Sequence, residues 1–332
     1  MRSLLSRGKT SATDVPPGET ARLHRDSLTE VVPFITAGDL AVALALPGMA
    51  VVSWLFPANA WAVIARWFAP LATALGLPAK ENALRIGSLM GERIPDRKPD
   101  ELQKESMAGF VEGNLQLLRT YRPGGWIPTI EIAGTGHLDA ALKRKRGAVL
   151  WMSWFNSYSL AAKMAFHRAG YSVTHLSHPR HGYANTRFAI RFLNPVRTIA
   201  EDRYLGKRVV MAQSDPTGAM LTLDRELRRN GIVSITVGRA SRNPVMAPFL
   251  AGRIELAPGA PSLALVAGAT LLPVFPVQVG PDRFSVTIEP PIVLGGPGSR
   301  RALIEAAACE YAARLEPYVL RYPGQWRGWH DL

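Results

Sequence analysis

Residues 148–164 read "AVLWMSWFNSYSLAAKM". The run from Ala148 to Met152 is apolar throughout, the pattern of a strand buried on both faces. From Ser157 to Gly170 the sequence "SYSLAAKMAFHRAG" takes a helical period, with Gly170 as its stop. A buried strand feeding a helix is the unit of a parallel α/β sheet. In such sheets ligands bind beyond the carboxyl ends of the strands. The turn from Trp154 to Ser159 occupies that position, yet it holds no His, Asp or Glu.

The same texture continues in both directions. "TIEIAG" (129–134) reads as a strand, and "GTGHLDAALKRKRG" (134–147) as a short helix whose basic end suits the helix dipole. "YSVTHLS" (171–177) is the next strand, "YANTRFAIRFLNP" (183–195) a helix and "VRTIA" (196–200) a strand. "RVVMA" precedes the helix "TGAMLTLDRELRRNG" (217–231), and "IVSITV" (232–237) is again a strand. "GAPSLALVAGA" (259–269) is a helix and "LLPVFPVQV" (271–279) a strand, with "RFSVTIE" (283–289) able to pair with it antiparallel. A long helix from Arg301 closes the series. Apolar strands alternating with helices predict an α/β domain over 126–332, its mostly parallel sheet covered by helices on both faces.

Upstream the composition shifts. Residues 1–38 form a polar arm with a short helix near 19–31, and no secretory leader is expected there. Residues 39–77 are apolar, with Arg66 the only charge after Asp39. Leu40–Phe56 is uncharged but interrupted by Pro47-Gly48. Two short helices broken near Pro57 are expected to lie in or dip into a membrane surface, with Trp54, Trp61 and Trp67 at the interface. The competing reading is a helical hairpin buried in a soluble core. Residues 78–125 form a helical connector with Met107, Phe110, Val111, Asn114, Leu115 and Leu118 on one face.

The 332 residues are 47% hydrophobic and 20% charged, enough for a sizeable core. Lys and Arg exceed Asp and Glu by 13, which favours anionic partners. The single cysteine, Cys309, excludes an intrachain disulfide and a cysteine-rich metal site. No nucleotide-binding glycine fingerprint and no RRM, KH or helix-turn-helix pattern occurs, so nucleic acid is not favoured as a partner.

Four segments occur in order: "GTGHLDAALKRKRGAVL", "RRNGIVSITV", "APFLAGRIELAPGAPSLALVAGATLLPVFPV" and the terminal "YPGQWRGWH". Together they resemble the lysophospholipid acyltransferase superfamily, in the branch of bacterial lipid A late acyltransferases and phosphatidylinositol mannoside acyltransferases. The resemblance spans about 126–332. It implies an α/β fold, a membrane-associated N-terminal segment and acyl transfer without a cofactor. In that chemistry a His at a strand end takes the proton of an acceptor hydroxyl, and an Asp or Glu five residues on orients it. Acyl-CoA or acyl carrier protein supplies the acyl group, and an anionic phospho- or glycolipid is the acceptor. Here the His position is Trp154 and the carboxylate position Ser159. Indole offers no basic nitrogen, and a serine supplies no counter-charge. A carboxylate expected near residues 238–239 is also replaced, by Gly238 and Arg239.

Three outcomes follow. The chain binds lipid or a partner without turning over, another residue supplies the base, or the fold is that of the family and the chemistry differs. His175, His178 and His181 stand at and beyond the end of the next strand, and His178 and His181 are the replacement candidates. As plain loop residues they would only anchor the chain; as metal ligands they lack accompanying carboxylates, and no metal site is expected. Glu201, Asp202 and Asp215 are the nearest acids, readable equally as solvated turn residues. Asn156, Arg180, Arg187 and Arg191 are candidate substrate-binding residues. Arg187 and Arg191 share one helical face, and Arg191 matches an arginine that the resemblance implicates in the site. Lys143–Arg146 form a second basic cluster. The expected setting is the cytoplasmic face of a bacterial inner membrane.

Overall fold

The computed structural model describes residues 33–74, 81–94, 97–156, 158–178, 181–211, 216–237 and 243–330. The expected helix at 19–31, Arg180, Asp215, Gly238 and Arg239 lie outside the described residues.

Among the described residues, four α-helices precede the sheet: α1 (Ala37–Leu55), α2 (Ala58–Ala74), α3 (Glu81–Met90) and α4 (Pro99–Arg119). Thr36 and Asp39 form a capping box that starts α1. The break between α1 and α2 falls at Phe56–Pro57, where Phe56 is extended, as a residue before proline should be. Pro47 does not end α1, which runs through it. Both helices pack on α4, which is buried along Met107, Val111, Leu115 and Leu118.

The sheet is built from β1 (Thr129–Ala133), β2 (Ala148–Met152), β3 (Val173–Ser177), β4 (Lys207–Val210), β5 (Ile232–Thr236), β8 (Thr270–Gly280) and β9 (Arg283–Ile288). Its seven strands run in the order β1-β9-β8-β2-β5-β3-β4. From β8 to β4 every pairing is parallel. β9 turns back antiparallel on β8, and β1 runs parallel to β9 at the edge. A separate antiparallel hairpin, β6 (Val245–Phe249) with β7 (Gly252–Leu256), was not expected from the sequence.

Helices α5 (Thr135–Lys143) and α6 (Tyr158–Arg168) cover one face, burying Leu138, Ala162, Ala165 and Phe166 against Leu150 and Met152 of β2. Helices α8 (Pro216–Arg228), α9 (Gly259–Ala267) and α10 (Arg300–Arg321) cover the other, where Trp151 stacks on Tyr311 with ring centroids 4.1 Å apart. This is the α/β architecture expected, with β2 buried at every position.

One expected strand is wrong. Residues 196–200 belong to helix α7 (Asn194–Asp202), preceded by a π-helical turn at Ala189–Leu193. Pro195 has no N–H to give the Arg191 carbonyl, and just before it the helix is widened, with the Asn194 N–H bonding the Ala189 carbonyl in place of that of Ile190.

Candidate functional site

The turn after β2 stands where the sequence places it, but it is closed. The Ser153 N–H bonds the Val274 carbonyl at 2.9 Å, extending the pairing with β8. Phe155 is fully buried and forms an isolated antiparallel bridge with Trp326. The Asn156 N–H donates to the Gln325 carbonyl (2.7 Å), and the Arg327 N–H to the Trp154 carbonyl (2.9 Å). The C-terminal segment therefore pairs with the turn as a short strand would. The Arg327 guanidinium lies 5.4 Å from the Trp154 ring centroid and 4.8 Å from that of Phe110, a cation–π contact on two rings.

The tail is itself fixed. The Gln278 N–H donates to the Gln325 side-chain oxygen (2.9 Å), and the Gln325 amide nitrogen donates to the Gln278 carbonyl (2.8 Å). Trp326 and Trp329 are buried. The side chain of Asn156 donates to the Gly324 carbonyl (3.3 Å) while its Oδ1 is buried without a partner among the described residues. Ser159 sits in the first turn of α6. Among its described residues, the turn from Trp154 to Asn156 offers no base and is covered by the C-terminal segment.

A second constellation lies two strands away, past β5, at the end of β3. Its centre is Glu201 of α7, which is fully buried. One carboxylate oxygen accepts from Lys163 Nζ (2.7 Å) and Arg208 Nη2 (2.9 Å), and both oxygens lie 3.0 Å from His181 Nε2. Arg208 continues to Asp202 (2.6 Å) and to the Ser177 hydroxyl (3.0 Å). Beneath the cluster, His175 Nδ1 lies 2.8 Å from Ser234 Oγ. A cavity of about 10 Å³, the space of one water, lies among Lys163, His175, Ser234 and Thr236.

The electrostatics follow from burial and the surplus of cations. Burial alone would raise the Glu201 carboxyl, but Lys163, His181 and Arg197 outweigh it and hold it well below the usual carboxylate range. Burial lowers Lys163, only partly offset by Glu201. Burial likewise lowers His181 against the pull of Glu201, and burial with the charge of Lys163 drives His175 well below the ordinary imidazole range. That shift favours the neutral form of His181. Donation of its Nε2–H to Glu201 leaves Nδ1 as the basic nitrogen.

The remaining sequence candidates are scattered. His178 follows β3, half-buried; its carbonyl accepts the His181 N–H at 3.0 Å. Arg187 and Arg191 are both exposed, on the turn that leads into α7. Trp67 is 81% and Trp54 37% exposed, but Trp61 is only 1% exposed. Trp61 packs inward with Leu115, Trp126 and Leu160, so it is a core residue and not an interfacial one. Lys163, which the sequence reading did not single out, is the feature most easily overlooked: a lone lysine within an otherwise apolar helix face.

The chain matches no protein family and no curated protein by sequence. Its structure is similar to that of the 1-acyl-sn-glycerophosphate (LPA) acyltransferase PlsC from Thermotoga maritima, at a TM-score of 0.35 and 10% identity. The match covers 79% of this chain and 98% of that one. So loose a likeness transfers no residue roles.

Proposed function

We propose that this chain is an acyltransferase-like protein of the membrane surface that binds acyl chains and anionic phospho- or glycolipids without turning over at the β2 turn. The closure of that turn by Arg327 and the paired C-terminal segment is the observation that carries the reading. The ordered sequence segments that resemble lipid acyltransferases support it, as do the exposed apolar faces of α1 and α2. Helix α1 is long and apolar enough to cross a membrane. The setting we infer is the cytoplasmic face of a bacterial inner membrane, where acyl-CoA or acyl carrier protein and the lipid are both at hand.

One observation favours a second reading. The His181–Glu201 contact is the base-and-orienter pair that acyl transfer needs. In that reading His181 Nδ1 takes the proton of a lipid hydroxyl as its oxygen attacks a thioester carbonyl; the C–S bond breaks and the proton passes to the thiolate.

The purified chain is incubated with a panel of acyl-CoA and acyl carrier protein donors and lipid acceptors, and its bound lipids are identified by mass spectrometry. The expected result is co-purifying lipid and no transfer. Transfer abolished by His181→Ala would establish the second reading. Transfer that survives both His181→Ala and His178→Ala would place the chemistry elsewhere and sink both.

A further inference from the structure

The π-helical turn presents side chains that neither reading above uses. Ala189 and Leu193 are buried against Leu46 of α1 and Leu118 of α4, while Ile190 is 40% and Phe192 59% exposed. Pro33–Ile35 lies alongside: the Arg187 N–H bonds the Pro33 carbonyl (3.1 Å) and the Phe188 N–H the Phe34 carbonyl (2.9 Å). That pairing holds Phe34 67% exposed beside the turn. The exposure is built in and is not the fraying of a loop. Asn194 clamps the segment, accepting from the Tyr183 N–H (2.7 Å) and donating to the Ala184 carbonyl (3.0 Å).

We propose that Pro33–Ile35, α1 and the π-helical turn form one docking face for an anionic phospholipid bilayer, with Phe34, Ile190 and Phe192 among the acyl chains and Arg187 and Arg191 at headgroup phosphates. The inference rests on the membrane reading above and assigns the two arginines to bulk lipid, not to a substrate cleft. Charge complementarity identifies the occupant. No Asp or Glu occurs from Leu40 to Lys80 or from His178 to Ala200, and Arg187 and Arg191 are exposed. A surface of aromatic and aliphatic side chains with Arg187 and Arg191 exposed beside it suits anionic lipid.

The same contacts set the pose of α1. Its start is tied to the body by the capping box and the pairing of Pro33 and Phe34. Its end is tied by Arg119, whose guanidinium bonds the carbonyls of Ser53 and Phe56. Asp39, Ser53 and Leu46 are buried along one stripe, and Leu40, Leu44, Val51 and Leu55 are exposed on the other side. A helix fastened to the domain at both ends lies along the bilayer surface; it cannot cross the hydrocarbon without carrying the domain with it.

The test is flotation of the full chain with neutral phosphatidylcholine vesicles and with vesicles containing phosphatidylglycerol. The parent chain is expected to float with the anionic vesicles. Phe192→Asp should weaken association with both by about ten-fold or more. Arg187→Gln with Arg191→Gln should weaken only the anionic association, by about five-fold per arginine, with the difference shrinking at high salt. Phe192→Ser, a milder change, should fall in the same direction, and circular dichroism checks that each variant is folded. If the parent floats and every folded variant floats equally well, α1 and α2 alone attach the protein and this inference fails. If the parent floats with no vesicle, the membrane reading fails with it. A dimer that Phe192→Asp dissolves, without loss of flotation, would assign the face to a second copy and overturn the proposal.

Discussion

Glu201 is the residue on which the largest electrostatic consequence turns. It balances Lys163, whose side chain is 8% exposed, and Arg208 at 10%. Breaking a buried pair by removing one partner strands the other charge, so Glu201→Ala should cost about 3–5 kcal/mol, read by chemical denaturation. Adding Lys163→Met should recover part of that loss, because the stranded ammonium is gone. Acid should act in two steps. His175 and His181 are held below their ordinary values in the fold, so under about pH 6.5 the unfolded chain binds protons that the folded chain refuses, and stability falls with pH. The depressed Glu201 adds stability that stays in place above about pH 4.3 and is lost only below it, through its folded value. A flat denaturation midpoint between pH 7.5 and 5.5 would refute the first step. The sequence hid Glu201 for a definite reason. Read as following a strand at 196–200, it belongs to a solvated turn. In the helix that is present, Asn194, Arg197 and Glu201 share a face at steps of three and four, turned toward Asn114 and Lys163.

At the scale of elements, the β2 turn and the C-terminal segment behave as one unit. The strand and helix around the turn were legible from their apolar pattern, and so was the absence of a base. The partner was not legible: 154–156 meet 324–327 across some 170 residues, through backbone hydrogen bonds that no side-chain pattern records. Helix α4 adds a wall, since a Cβ on Gly109 would overlap the Asn156 side chain. Restoring the residues that the resemblance implies, Trp154→His with Ser159→Asp, should therefore give no acyl transfer, because the tail still fills the space. Measurable turnover by that double variant would show that the turn is open to substrate. Trp326→Ala attacks the plug itself. Its ring is 2% exposed and contacts Phe249 and Trp329 at centroid distances of 5.2 and 4.6 Å. The expected loss is about 3–5 kcal/mol, by denaturation.

For the whole molecule, the question is whether the apolar helices are an appendage or part of the body. An all-round apolar helix carries no period that distinguishes a lipid face from a core face, so the sequence alone could not say which tryptophan points where. The structure divides them: Trp61 and Ala65 pack inward, while Trp67 turns out. Deleting 39–77 would remove Trp61 and uncover Leu115, Trp126 and Leu160. Such a deletion should aggregate. Membrane contact is better tested by light than by truncation. The chain has eight tryptophans. Trp61, Trp126, Trp151, Trp326 and Trp329 are all under 5% exposed, and Trp154 is covered by Arg327. In vesicles of brominated lipid, which quench indole only on contact, Trp67 and Trp54 should account for most of the quenching. Trp67→Phe should then remove the larger share of it, and Trp61→Phe should leave it unchanged while lowering stability. Equal quenching losses from the two substitutions would mean that α2 rolls on the bilayer and that its inward face is not fixed against α4.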